Sequence, residues 1–317
     1  MRVFIDTDLK NPSTGKGYFA QRLSIALRSL GIDIVSHKSN HDIALHILKV
    51  RKETKSIRVM RLNGVYHNTK QKFKKMNKAI ASERNKCNAI VYQSNFAKSM
   101  NEKYLPRTKA PNTVILNGAN VGFYDKITPI NKEYEYNFIS SSRWRPHKRL
   151  QDTIDSFLLS DIESSCLHIV GSLDKSGVSK KVIRRYMSIR NIKFYNKVSQ
   201  KKIASILSIC NGCIHLCMTD CCPNSVVESV CAGIPVICSN EGGTREVANN
   251  PPNLILNIDK KYNLKPIDLY SPPKINKNLV ADAIVKLCQK TNDKTDSSHV
   301  NINNIASQYL KFFESLL

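Results

Sequence analysis

The sequence predicts an α/β protein made of two consecutive Rossmann-like units, and three observations carry that expectation. Short runs rich in β-branched residues alternate with helix-patterned stretches through residues 1–118, which is the signature of a parallel sheet covered by helices. Residues 119–134 interrupt the rhythm with Gly122, Pro129 and few core-type side chains, as a boundary between domains does. The alternation then resumes over 136–239, and a length of 317 residues is ample for two cores.

Taken in order, Arg2–Asp6 reads as a strand, Gly17–Leu30 as a helix, and Ile32–Val35, Ile43–Ile47 and Ile57–Leu62 as strands. Lys70–Ser82 reads as a helix, Ala89–Gln93 as a strand, Asn95–Tyr104 as a helix, and Thr113–Leu116 as a strand closing at Asn117-Gly118. In the second series the strands are Tyr136–Ser141, Leu167–Val170, Ile192–Tyr195, Cys213–Cys217 and Pro235–Ser239. Helices fall at Leu150–Leu159, Ser179–Arg190, Gln200–Ser208 and Ser225–Ala232, with two more at Asn278–Lys290 and Ile302–Leu316. Residues 212–218 read as a buried parallel strand.

Composition narrows the class. Hydrophobic residues at 41% and charged residues at 23% describe a globular chain. No apolar run reaches the roughly 20 residues that span a bilayer, and Asp6 and Asp8 stand where a secretory leader would be apolar. The expected location is therefore the cytoplasm, with peripheral contact to a membrane left open. The net charge of +24 calls for anionic partners: nucleotide phosphates, nucleic acid or an acidic membrane surface. Residues 1–140 hold 25 Lys and Arg against 10 Asp and Glu, and Lys70, Lys74 and Lys78 are spaced to share one helix face. That face is either simply solvated or a docking patch for an acidic partner. Ten cysteines in a chain of this length read as reduced thiols. The Cys210-x2-Cys213-x3-Cys217 run with His215 falls on a buried strand and lacks a second ligand pair, so it reads as core, and no metal is expected.

The segment from Asp220 to Glu246 is the most informative. A buried strand ends in an acid, Pro223-Asn224-Ser225 opens a helix, and Glu228 lies one turn inside it. The amides of Asn224, Ser225 and Val226 would face the crevice at the strand ends, where open α/β sheets bind phosphate or ribose. The alternative is that Asn224 or Ser225 only caps the helix and Gly233-x-Pro235 only ends it. Two carboxylates with seven residues between them, Asp220 and Glu228, also suit paired sugar hydroxyls.

With its Gly233-Ile-Pro235-Val turn and Gly242-Gly243-Thr-Arg-Glu246 loop, this segment resembles the donor-binding signature of the family 4 retaining glycosyltransferases. The resemblance implies that Glu228 holds the ribose of a nucleotide and Asp220 lies at the transferred sugar, although the family usually has Glu at the first position. Ser140-Ser-Ser-Arg143-Trp-Arg-Pro-His-Lys148 resembles the family's phosphate loop. Arg143 and Lys148 would stabilise the charge that grows on the departing diphosphate, whereas Arg145 and Arg149 are expected to point away. Thr14-Gly15-Lys16-Gly17, after the first strand, lets a backbone approach a ligand at Gly15 and Gly17. Segments around Asn63, His67 and Ser94 resemble first-domain segments of a bacterial-type branch and add these three to the expected cleft, with Asn63 standing where Asp is common.

The resemblance implies the GT-B architecture, two Rossmann-like domains facing a central cleft. Residues 1–125 would be the acceptor domain, 134–295 the nucleotide-sugar donor domain, and 300–317 a helix returning to the first domain. The expected activity is retaining transfer of a sugar from a UDP- or GDP-sugar to a glycan, lipid or other hydroxyl acceptor, without cofactor or metal. Two other classes compete. A basic nucleic-acid-binding protein lacks support, because no helix-turn-helix, zinc finger or aromatic RNA-binding strand is evident. A nucleotide-sugar epimerase of the same fold would release a free epimerised sugar nucleotide.

Overall fold

The computed structural model describes residues 1–12, 14–172, 178–289 and 294–317. The chain folds into two compact units. The first comprises 1–120, 221–227 and 298–317, and the second 121–220 and 228–297.

In the first unit, β1 (Arg2–Asp6), β2 (Asp33–Val35), β3 (Ile43–Ile47), β4 (Ile57–Leu62), β5 (Ala89–Tyr92) and β6 (Asn112–Val114) form a parallel sheet in the order β2-β1-β3-β4-β5-β6. The order reverses at β1, so the crevice in which such sheets bind ligands opens at the carboxyl ends of β1 and β3. Helix α1 (Gly15–Ser29) starts two residues earlier than the sequence predicts because Thr14 accepts a hydrogen bond from the Gly17 amide at 3.4 Å. Its Phe19, Leu23 and Leu27, spaced by four, lie in the core. Helix α2 (Phe73–Arg84) starts later than predicted, because the Asn68 side chain accepts from the Lys70 amide at 3.1 Å and folds 68–71 into a turn. Lys70 therefore lies off the helix, and only Lys74 and Lys78 share its face. Helix α3 (Asn95–Tyr104) follows the predicted span. The chain's last helix, Ile302–Glu314, packs Ile305, Tyr309 and Phe313 against the same core.

The second unit opens with the single turn α4 (Val121–Tyr124). Its strands are β7 (Tyr136–Ser141), β8 (Ser165–Val170), β9 (Ile192–Tyr195), β10 (Gly212–His215), β11 (Val236–Ser239) and β12 (Leu254–Leu256), parallel throughout in the order β12-β11-β10-β7-β8-β9. The switch point lies between β7 and β10. Helices α5 (Leu150–Leu159), α6 (Val178–Tyr186), α7 (Gln200–Leu207), the single turn α9 (Thr244–Val247) and α10 (Lys277–Cys288) complete it, while α8 (Asn224–Cys231) begins in the segment grouped with the first unit. The predicted end of the α10 segment, Lys290, lies outside the described residues. Gly233, at φ +76°, ends α8: the Ile234 amide reaches back to the Ser229 carbonyl at 2.9 Å. Strand β12 and the turns α4 and α9 carry too few residues for a periodic signal and are additions to the sequence reading. No helix among the described residues is long and apolar enough to cross a membrane.

Candidate functional site

In the second unit the loop after β7 and the loop after β10 flank the switch point, and each delivers one charged group. Trp144 anchors the first loop: it is buried, and its indole N–H donates to the Val170 carbonyl at 3.0 Å. A single 3-10 turn, Pro146–Lys148, follows, and Arg149 then takes a left-handed conformation, φ +56°. Lys148 Nζ donates to Asp220 Oδ2, the two side chains being 15% and 22% exposed. His215 Nε2 lies 3.2 Å from the same carboxylate oxygen. Burial opposes the charged form of Asp220, but the Lys148 ammonium and the His215 contact outweigh it, and its pKa is held well below the carboxylate range. Burial likewise opposes the charge on Lys148, and Asp220 pushes its pKa above the usual ammonium value. Burial keeps the His215 pKa low against the pull of Asp220.

The two glycines downstream have a steric reason. The Gly243 amide donates to the Asp220 carbonyl at 2.7 Å, and at Gly242, φ +82°, an added Cβ would lie 2.5 Å from the Met218 carbonyl oxygen. The Gly-Gly loop thus braces the backbone that carries Asp220. Arg149, expected to point away from the diphosphate, is turned to a different partner from Lys148. It points inward, is 2% exposed, and forms a fork to Asp259 at 2.6 and 2.7 Å with further bonds to the Leu216 and Pro273 carbonyls. The left-handed backbone turns it into the core, and Asp259, 110 residues on, supplies the counter-charge. Arg143 and Arg145 are exposed, and Glu228 sits half-buried on α8. Lys148 and Asp220 are thus brought together, His215 joins them, and Arg143 makes no ion pair with a described residue. His215 carried a local signal, five residues before an acid at a strand end; Asp259 carried none.

A separate pocket of ≈ 480 Å³ in this unit is walled by Arg145, Pro146, Arg149, Tyr270, Lys274 and Lys277. Neither Lys148 nor Asp220 lines it. Among the described residues no group of His, Cys, Asp or Glu is arranged to hold a metal ion, and Cys210, Cys213 and Cys217 are buried, with thiol pKa values raised by burial.

In the first unit the first residue of α1 meets the start of α8. Asn224 Nδ2 donates to the Gly15 carbonyl at 2.9 Å, and a Cβ on Gly15 would come within 2.8 Å of that nitrogen. Gly17 is buried, and an added Cβ would lie 3.3 Å from Pro12 Cβ. The Val226 amide, expected to be free, donates to the Pro223 carbonyl at 3.1 Å, and its side chain is fully buried. Ser225 is half-buried. Ser94 is buried and caps α3 by accepting from the Ala97 amide at 2.9 Å. Asn63 accepts from Arg61 at 2.7 Å. His67 is buried with Nδ1 3.2 Å from the Val65 carbonyl, and burial lowers its pKa.

Two six-stranded parallel sheets with helices on their faces are the GT-B arrangement. Sucrose-phosphate synthase from Thermosynechococcus elongatus superposes with a TM-score of 0.73 at 13% identity, over 99% of this chain and 98% of that one. HepE of Anabaena, in complex with UDP and glucose, gives 0.69 at 14% identity over 99% of both chains, and a glycosyltransferase from Rickettsia africae ESF-5 gives 0.60 at 16% over 99% and 98%. Residues 123–256 match the family model described as Glycosyl transferases group 1. The chain therefore has the GT-B fold, and its residues 123–256 are similar to the group 1 glycosyltransferases. No curated protein sequence matches it.

Proposed function

We propose that the chain is a retaining, metal-independent glycosyltransferase that moves a sugar from a UDP- or GDP-sugar to a hydroxyl of a glycan or lipid acceptor. The observation that carries this reading is the Lys148–Asp220–His215 cluster, which stands at the switch point of the sheet within the region matching the glycosyltransferase family. An ammonium has three donors, so Lys148 can hold Asp220 and still meet a phosphate oxygen. Lys148 and Arg143 neutralise the diphosphate as it departs, the task a divalent metal performs elsewhere. Asp220, kept ionised by its neighbours, orients the sugar hydroxyls, and Glu228 takes the ribose. In transfer, the bond from the anomeric carbon to the diphosphate oxygen breaks and a bond to the acceptor oxygen forms on the same face. The hydroxyl proton passes to the departing phosphate. HepE was crystallised with UDP-glucose, which favours including UDP-sugars among the donors tried first.

The test is a thermal-shift panel of nucleoside diphosphates and sugar nucleotides, since a ligand that binds only the native state raises its melting temperature. A selective rise with one base supports the reading. A flat panel, or conversion of a sugar nucleotide to its free epimer without transfer, refutes it.

A further inference from the structure

The pocket at the start of α5 lies wholly within the second unit and carries a surplus of positive charge. Arg145 and Lys274 line it, both are exposed, and neither makes an ion pair with a described residue. Lys277 lines it too and is shared between Asp155 at 2.5 Å and Asp152 at 3.6 Å, so Asp152, the acid in the wall, is already answered by a cation. Uncompensated cations in a concave wall attract an anion more strongly than the same charges on an open surface, because low-dielectric walls focus the field.

The backbone adds to this field. Leu150, Gln151 and Asp152, the first residues of α5, line the same pocket, and no side chain caps the helix. The first amides of a helix have no acceptor inside it, so they suit an anion. Arg149, 2% exposed, also lines the pocket; Asp259 holds its two terminal nitrogens, but its Nε is buried with no hydrogen-bond partner among the described residues. A buried donor in that state marks a wall that the chain alone does not satisfy. One 3-10 turn keeps the pocket apart from the Lys148–Asp220 cluster. The Lys148 amide donates to the Arg145 carbonyl at 2.9 Å and the Arg149 amide to the Pro146 carbonyl at 3.0 Å, while the Lys148 side chain goes to Asp220.

The remaining walls choose the class of ligand. Val182, Pro272, Ile275 and the half-exposed Tyr270 are apolar or aromatic, and ≈ 480 Å³ is the volume of a small-molecule site rather than of a bare ion. We propose that this pocket is a second ligand site, distinct from the Lys148–Asp220 cluster, that takes a small phosphate monoester: the phosphate sits between Arg145, Lys274 and the first turn of α5, and the organic body lies against Tyr270 and Ile275. Such a site stands apart from the glycosyl-transfer reading and does not depend on it.

Calorimetric titration of the full chain with ribose 5-phosphate, glycerol 3-phosphate, ribose and inorganic phosphate tests it. The wild type is expected to bind at least one of the two monoesters more tightly than inorganic phosphate, and not to bind ribose. Lys274→Glu should weaken the monoester by about tenfold or more, the worth of one charge-assisted hydrogen bond, and Arg145→Gln by a similar factor, with the melting temperature of both variants unchanged. A wild type that binds neither monoester, or folded variants that both keep wild-type affinity, overturns the proposal. Inorganic phosphate bound as tightly as the monoesters overturns the choice of ligand class. Equal weakening by Lys201→Glu, an exposed position on α7 outside the pocket, overturns the site, because it shows only general attraction to a basic protein. Weakening by Arg143→Ala with Lys274→Glu unaffected places the monoester elsewhere and overturns it as well. The glycosyl-transfer reading fails separately, by a flat response to nucleoside diphosphates and sugar nucleotides.

Discussion

Lys148 and Arg149 are adjacent in the chain, both are cations, and each faces an aspartate, yet one pair is sealed in the core and the other reaches solvent. Arg149 and Asp259 are sealed in the core, the guanidinium held by a carboxylate fork and two carbonyls. Lys148 and Asp220 keep 15% and 22% of their side chains in contact with solvent and share a histidine. A pair sealed from solvent holds the fold together. A pair that reaches solvent at the carboxyl ends of parallel strands can take a ligand. The left-handed residue between the 3-10 turn and α5 separates the two outcomes by sending successive side chains to opposite destinations.

Substitution at each position should break that contrast in a different observable. Lys148→Ala is expected to lower kcat about a thousandfold, at the upper end of what removing one charge-stabilising donor costs. Its fold should survive, since His215 can take up a proton and remain as the partner of Asp220; circular dichroism and turnover measured together check this. Arg149→Ala should do the reverse, destabilising the protein by roughly 3–5 kcal/mol in denaturant melts because Asp259 is left buried and unpaired, with near-normal activity in the molecules that stay folded.

A third buried group sharpens the comparison through protons. His168 is sealed between Tyr195 OH at 3.1 Å and Asn137 Oδ1 at 3.0 Å, and burial, aided by Lys193, pushes its pKa down to about 4. The unfolded chain binds this proton below about pH 6.5 and the folded chain resists it until about pH 4, so stability should fall by about 3 kcal/mol as pH drops through that window. His168→Gln should flatten this part of the profile without changing turnover at neutral pH. The smallest effect is expected at Glu228→Ala, about a tenfold rise in donor KM, roughly 1.4 kcal/mol, with kcat little changed.

The strands were legible because parallel strands buried on both faces are short apolar runs: Arg2–Asp6, Ile43–Ile47, Ile57–Leu62, Tyr136–Ser141 and Ile192–Tyr195 coincide with β1, β3, β4, β7 and β9. Strand β12 has three residues, which is too few for a period, and the start of α2 was hidden by a side-chain turn at Asn68 that apolar spacing does not report. Near the site, the legible part is local. His215 and Asp220 are five residues apart. Arg149 with Asp259, and Asn117 with Asn224, are joined across 110 and 107 residues, and one sequence contains no signal for pairing at that distance. Gly17 and Ser94 show the opposite limit: glycine suits close packing as well as a ligand, and serine, which caps α3 here, suits a cap as well as a ligand, and residue type alone does not choose.

The central claim is that Lys148 and Asp220 form the reacting end of a donor site and Glu228 its ribose end. A crystal structure of the protein soaked with the nucleoside diphosphate chosen by the thermal-shift panel tests this most directly. The account predicts phosphate oxygens within hydrogen-bond distance of Lys148 Nζ and ribose hydroxyls on the Glu228 carboxylate. A diphosphate that binds without touching Lys148, with Glu228 clear of the ribose, would contradict it.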